Sequence, residues 1–321
     1  MTMKVSSEVT GFLLGACLLV WACATKPPQQ KAAQPRKVGY SIALKNITPE
    51  NMAYAKSVGV DYIETSFQAF IDDKRQFKLS EAEIRKAVAE AKQAADKAGI
   101  KIWSIHMPYS KTIDISLANE QERQAVVALH QQVLTYAKAL QPQVILFHPS
   151  YYLGLNERET RKAQMIKSSG ELLPAVQELN ATMVIENMLG PELLADANRE
   201  RPLCRSVEET LEIMGRLPKN IYAAVDMNHI KHPERLIRAL GKRLKSIHVA
   251  DGHGEKENHF LPCSGQGGND WPEILAALDE VNYQGPFLFE SAYKDVKELK
   301  ECYLSLHSAY VAQKKIAKSN P

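Results

Sequence analysis

From Lys37 onward the chain repeats one pattern: a short apolar run, then a longer stretch whose apolar positions recur at helical spacing. The apolar runs predict strands at 38–44, 62–66, 100–106, 144–148, 183–186, 222–226, 246–249 and 287–290. The stretches between them predict helices at 80–98, 119–139, 157–179, 207–217, 233–240 and 272–281. Ser80 and Ser206 stand where N-caps belong, and Gly99 and Asn180 stand where helices stop. Eight βα units over some 275 residues predict a single α/β domain, a (β/α)8 barrel. No GxGxxG turn follows the first strand, which argues against a doubly wound open sheet.

The first 36 residues break the pattern. Gly11 to Ala22 is an apolar run too short to span a bilayer but suited to the core of a secretory signal, and it ends in Val20-Trp21-Ala22-Cys23. That ending resembles a bacterial lipobox, with Cys23 as the lipidated residue; Cys17 is an upstream rival. The expected organisation is a lipoprotein signal at 1–22, a Pro-rich polar tether at 23–36, a barrel at 37–312 and a polar tail at 313–321. The expected location is the periplasm-facing side of a bacterial cell envelope, with a membrane partner through the lipid. Three further cysteines, Cys204, Cys263 and Cys302, form no CxxC pair and no disulfide framework, and leave room for one bridge.

Of 321 residues, 45% are hydrophobic and 24% charged, and the formal net charge is +3. This is ordinary globular composition, and the small net charge argues against a nucleic-acid partner. The chemistry lies in what ends each strand. The second predicted strand ends near Glu64, the third at His106, the fourth at His148 and the fifth at Glu186. The sixth ends at Asp226 with His229 three residues on, the seventh at His248 and the eighth at Glu290. With 37 acidic residues and 9 histidines in the chain, about one residue in seven is of these types, so chance does not explain the pattern. In a barrel these side chains converge on one mouth. Buried together, carboxylates and imidazoles call for a cation, and mixed ligands of this kind suit a divalent metal such as Mn2+ or Zn2+.

IENM at 185–188, DMNH at 226–229, HVAD at 248–251, GQGGNDW at 265–271 and GPFLFES at 285–291 together resemble the xylose isomerase-like barrel superfamily. That superfamily holds sugar isomerases and epimerases and also endonuclease IV. The resemblance implies a metal held by Glu186, Asp226, His248 and Glu290, with the two glutamates as acid and base beside a substrate carbonyl. His106, His148, His229 and His259 fall where the endonuclease IV branch has further zinc ligands, but Glu257 stands where its third site has an aspartate. The epimerase branch has an arginine just after the seventh-strand histidine; this chain has Gly252, His253 and Gly254. Glu64 is a further candidate for substrate contact, with a cap or salt bridge as its alternative. Trp103, Tyr109 and Trp271 are candidates for stacking on a sugar, with a place in the core or at the rim as theirs. His130, His232, His253 and His307 read as surface residues.

The expected function is metal-dependent isomerisation or epimerisation of a sugar or sugar phosphate, by proton transfer beside a carbonyl. A keto-sugar lyase, a zinc phosphodiesterase and a sugar-binding lipoprotein without activity are the alternatives. The N-terminus carries its own test. Labelled fatty acid should enter the wild-type chain and not Cys23→Ser; label that survives in Cys23→Ser but is lost in Cys17→Ser moves the lipid upstream.

Overall fold

In a computed structural model, residues 35–190 and 198–319 are described; the expected signal segment, Cys23 and nearly all of the expected tether lie outside them. Eight parallel strands form the barrel: β1 (Val38–Ser41), β2 (Val60–Ser66), β3 (Lys101–His106), β4 (Val144–Phe147), β5 (Thr182–Glu186), β6 (Ile221–Asp226), β7 (Leu244–His248) and β8 (Phe287–Phe289). They pair in sequence order, and β8 pairs with β1. Between β7 and β8 the closure is a single bridge of Val249 with Phe289, held by Val249 N–H to Leu288 O (2.8 Å) and Glu290 N–H to Val249 O (3.1 Å).

Eight helices cover the barrel: α1 (Pro49–Ser57), α2 (Glu81–Ala98), α3 (Glu120–Ala137), α4 (Arg158–Gln177), α5 (Val207–Arg216), α6 (Pro233–Leu240), α7 (Trp271–Glu280) and α8 (Val296–Ser319). Local chemistry sets their ends. Ser80 and Glu83 form a reciprocal capping box at the start of α2, and Gly99 takes the left-handed conformation that ends it. Asn119, Ser206 and Asp270 cap α3, α5 and α7 through their side-chain oxygens. Every residue of β4 is buried, as a strand with the barrel interior on one face and helices on the other must be.

Three sequence expectations change, and the bridge left open among the cysteines is found. Arg36, assigned to the tether, belongs to the barrel: its guanidinium pairs with Asp279 on α7 (2.8 Å) and its N–H bonds to the Tyr303 hydroxyl on α8. The expected polar tail continues α8 as far as Ser319, and that helix is anchored where Tyr310 donates to Asp279 (2.7 Å) and Lys314 donates to Tyr310 (3.1 Å). His130 is buried on α3 against the Phe147 ring rather than exposed. Cys263, in the loop after β7, is bridged to Cys302 on α8, while Cys204 is buried and free. Among the described residues no helix is long and apolar enough to cross a membrane.

Candidate functional site

Strand register brings the polar residues to one end of the barrel. Asp226 and His248 are paired neighbours on β6 and β7, Glu186 lies level with Ala224, and His106 lies level with Ser66. The side chains meet there with almost no exposure: Glu64, Asp226 and His248 are fully buried, and Glu186 is 1% exposed.

His248 stands at the centre. Its Nδ1 lies 2.7 Å from Glu186 Oε1 and 2.8 Å from Glu290 Oε2, and its Nε2 lies 3.0 Å from Glu64. Glu64 in turn accepts a hydrogen bond from Ser104 Oγ (2.6 Å). It therefore sits behind His248, fixing the ring rather than facing the mouth. The second oxygen of Glu186 lies 3.1 Å from His148 Nε2 and 3.7 Å from His106 Nε2. On the other flank, Asp226 Oδ2 lies 3.3 Å from His229 Nε2. Glu257, half exposed, reaches both His229 Nε2 (3.1 Å) and His259 Nε2 (2.8 Å).

Three groups thus have ligand atoms all within 4.8 Å of one another: Glu186, Asp226, His248 and Glu290; His106, His148 and Glu186; and Asp226, His229 and His259. Every ion pair that these acids make among the described residues is with an imidazole, not with a lysine or arginine. Glu186 Oε2, Asp226 Oδ2 and Glu64 Oε1 are buried without a hydrogen bond, although imidazole nitrogens lie close to them. Oxygens and nitrogens that approach without bonding suit a cation between them, and carboxylates with imidazoles suit a divalent one.

The electrostatics agree. Burial alone would lower His106, but Glu186, Glu64 and Glu290 outweigh it and lift its pKa to about 9. His259 is likewise depressed by burial and raised by Glu257 and Asp226, to about 9. His229 and His248 are also lifted well above their ordinary value against the pull of burial. His148 goes the other way, because burial outweighs its one close carboxylate. Burial raises Asp226 to about 6, and His248 overcomes burial to hold Glu290 at about 2. Without a cation, protons on the imidazoles balance the carboxylates.

Several positioning residues carried no signal that the sequence reading used. Asn187 locks the ends of β5 and β6 together, accepting from Asp226 N–H (2.8 Å) and donating to Asp226 O (3.2 Å), and its carbonyl meets His229 Nδ1 (2.9 Å). Asn228 accepts from the backbone N–H groups of Asn258 and His259, fixing the loop that carries His259. Both lie inside quoted motifs, IENM and DMNH, where the neighbouring acid drew attention first. The glycines of GQGG serve a loop rather than the acids: a Cβ on Gly267 would fall 2.0 Å from Asp251, whose carboxylate accepts from Trp271 Nε1 (2.8 Å) and Asn269 N–H (3.1 Å). Trp271 is thereby engaged in that loop, and Trp103 lies inside the barrel, bonded to Ser246 (3.1 Å). Tyr109 alone of the three aromatics faces the site, its ring 3.9 Å from that of His148.

Comparison with protein families finds a match to a family described as xylose isomerase-like TIM barrel over residues 52–310. Comparison with curated proteins finds no match. Among solved structures, a D-tagatose 3-epimerase-like protein superposes with a TM-score of 0.68 at 19% identity, covering 87% of this chain and 99% of that one. The 3-keto-D-glucoside 4-epimerase of E. coli gives 0.64 at 14% identity, over 85% and 99%. A D-psicose 3-epimerase, solved in the presence of D-fructose, gives 0.62 at 17%, over 88% and 98%. At these identities the likeness is one of fold.

The raised histidines predict how stability depends on pH. Such a group stabilises the fold while protonated, so its contribution is complete below its ordinary 6.5 and lost as pH rises through about 9. In the presence of chelator, urea unfolding should show a loss on the order of a few kcal/mol between pH 6.5 and 9. Stability that stays level or rises across that window contradicts the charge balance described.

Proposed function

The chain belongs to the xylose isomerase-like TIM barrel family, and from that premise we propose that it is a metal-dependent isomerase or epimerase of a sugar or sugar phosphate. The observation that carries the reading is the convergence of Glu186 and Glu290 on the same nitrogen of His248, Nδ1, with Asp226 within the same 4.8 Å. A divalent cation held by these four residues would polarise a substrate carbonyl and lower the acidity barrier of the adjacent carbon. Structural neighbours named as a D-tagatose 3-epimerase-like protein, a D-psicose 3-epimerase and a 3-keto-D-glucoside 4-epimerase support this substrate class.

Glu290 is held ionised at neutral pH by His248, and 27% of its side chain is exposed. It is therefore the carboxylate suited to take a proton from substrate. Glu186 is buried, held ionised by three imidazoles, and lies beside Glu290 at the same His248 nitrogen; protonated from one of those imidazoles, it would be the group that returns a proton. Glu64 and Ser104 keep His248 in one orientation, so that Nδ1 faces the carboxylates. Tyr109 shields His148 and offers an aromatic face to a sugar ring. A keto-sugar lyase would use the same proton abstraction, followed by loss of a group on the next carbon.

The two flanking groups favour a second reading, hydrolysis of a phosphodiester by a cluster of three zinc ions. His106 and His148 on one side, and His229 and His259 on the other, have the ligand chemistry for it. The small net charge of +3 weighs against a nucleic-acid substrate. We also propose that the chain is exported and held to the envelope through Cys23. The Cys263–Cys302 bridge supports export, since oxidising compartments are where disulfides persist.

Solvent-deuterium incorporation beside the carbonyl, measured with divalent metal in excess on a panel of keto-sugars, separates these readings. Wild type should exchange that hydrogen, and Glu290→Gln should lose about 10²–10⁴ in rate while still binding metal. Absence of exchange on every sugar, together with three zinc ions per chain and cleavage of phosphodiesters, would replace the first reading with the second.

A further inference from the structure

The arginines on the segments that follow β4 and β5 are not alike. Arg158 is paired with Glu200 (3.1 Å) and Glu209 (2.8 Å), and Arg161 with Asp114 and Glu157. Arg201 is only 4% exposed, yet no carboxylate among the described residues pairs with it. Its one hydrogen bond runs from Nη1 to the Tyr152 hydroxyl (3.2 Å), whose ring lies 5.6 Å from the guanidinium carbon. Arg199 lies over the same ring, at 4.4 Å, so that two cations share one phenol. Nε and Nη2 of Arg201 are buried and make no hydrogen bond. Those two nitrogens form one edge of the guanidinium, the edge that grips a carboxylate or phosphate through two parallel N–H···O bonds.

A guanidinium does not shed its proton when buried, so this charge lacks its answer. Its position says where the answer belongs. Two residues on, Leu203 N–H donates to Ser150 Oγ (2.8 Å), and the Cys204 carbonyl accepts from Met188 N–H (3.2 Å). Ser150 follows His148 by two residues, and Met188 follows Glu186 by two. The segment carrying Arg201 is thus tied across the ends of β4 and β5, the strands that deliver His148 and Glu186 to the site. We infer that Arg201 and Tyr152 form an anion subsite, and that the substrate carries a phosphate or carboxylate group apart from its reacting carbon. The inference rests on the mouth being the substrate site proposed above; it narrows the substrate class from sugars to sugar phosphates or sugar acids.

The test uses the full, metal-loaded chain, with inorganic phosphate as the probe in calorimetry and a ketose phosphate, a keto-sugar acid and a neutral ketose in deuterium exchange. Wild type should bind phosphate about 10- to 100-fold more tightly than Arg201→Met, as loss of a charged two-bond contact implies. Arg201→Lys, which keeps the charge without the fork, should fall between them. KM for one of the two anionic sugars should rise in both variants with kcat little changed, and that sugar names the group. The melting temperature of Arg201→Met in phosphate-free buffer should be no lower than wild type, since a buried unpaired charge is removed. Equal phosphate affinity in all three chains, whether or not Arg201→Met is destabilised, would mean a structural arginine and overturn the subsite. Should Arg201→Met fail to fold, the Lys variant decides alone: unchanged affinity and KM would overturn the subsite. Undiminished exchange of neutral ketoses alongside that result would leave the isomerase reading standing. Loss of phosphate binding in Arg201→Met, with no exchange on any sugar, would keep the subsite and remove the isomerase.

Discussion

Glu186 answers to three imidazoles at once, and the rest of the mouth is arranged around that fact. One oxygen lies 2.7 Å from His248, and the other lies 3.1 Å from His148 and 3.7 Å from His106. A carboxylate with 1% exposure has lost its water, and only neighbours able to carry positive charge make its burial tolerable. Because the neighbours are histidines, that positive charge comes either as protons or as a bound cation. The same reasoning covers Asp226, whose oxygen stands 3.3 Å from His229. Two flanks of histidine therefore meet on a central group shared by both.

The constraint reaches back into the fold. Glu186 and Asp226 have to arrive on adjacent strands in fixed register, which Asn187 enforces by bonding both backbone groups of Asp226. His248 has to present Nδ1 and not Nε2, which Glu64 and Ser104 enforce from behind. The loop after β7 has to hold Glu257 and His259 over Asp226, and it is braced at three points: Asn228, the Asp251–Trp271 contact, and the disulfide from Cys263 to α8. Asn228 touches the Asp226 carboxylate through its own N–H (2.7 Å), while the other two braces lie farther along the loop that carries Glu257 and His259.

Much of this was legible in the sequence because a barrel turns one-dimensional order into a ring. An apolar run buried on both faces marks a strand, and the titratable residue that ends it goes to the mouth, so the acids and histidines of the strand ends could be named without coordinates. Setting Glu186, Asp226, His248 and Glu290 apart from the others came from the family resemblance. What stayed hidden depends on contacts between distant elements. That Glu64 lies behind His248 is a fact of β2 against β7 across the barrel, 184 residues apart. Cys263 and Cys302 are 39 residues apart, and no spacing rule pairs them. Arg201 has no pattern around it, and its importance comes from partners it lacks. His130 is a different case: with Val126, Val133 and Ala137 it continues the buried stripe of α3, a helical period that was present in the sequence and outweighed by the residue's polarity.

The central claim is that carboxylates and imidazoles at the barrel mouth are held together by a divalent cation. A crystal grown in Mn2+ and measured at a wavelength where manganese scatters anomalously tests it directly. The expected result is an anomalous peak bounded by Glu186, Asp226, His248 and Glu290, at ligand distances of about 2.0–2.2 Å. A map with no peak there, in which Glu186 and Glu290 still bond to His248 at saturating metal, would contradict it.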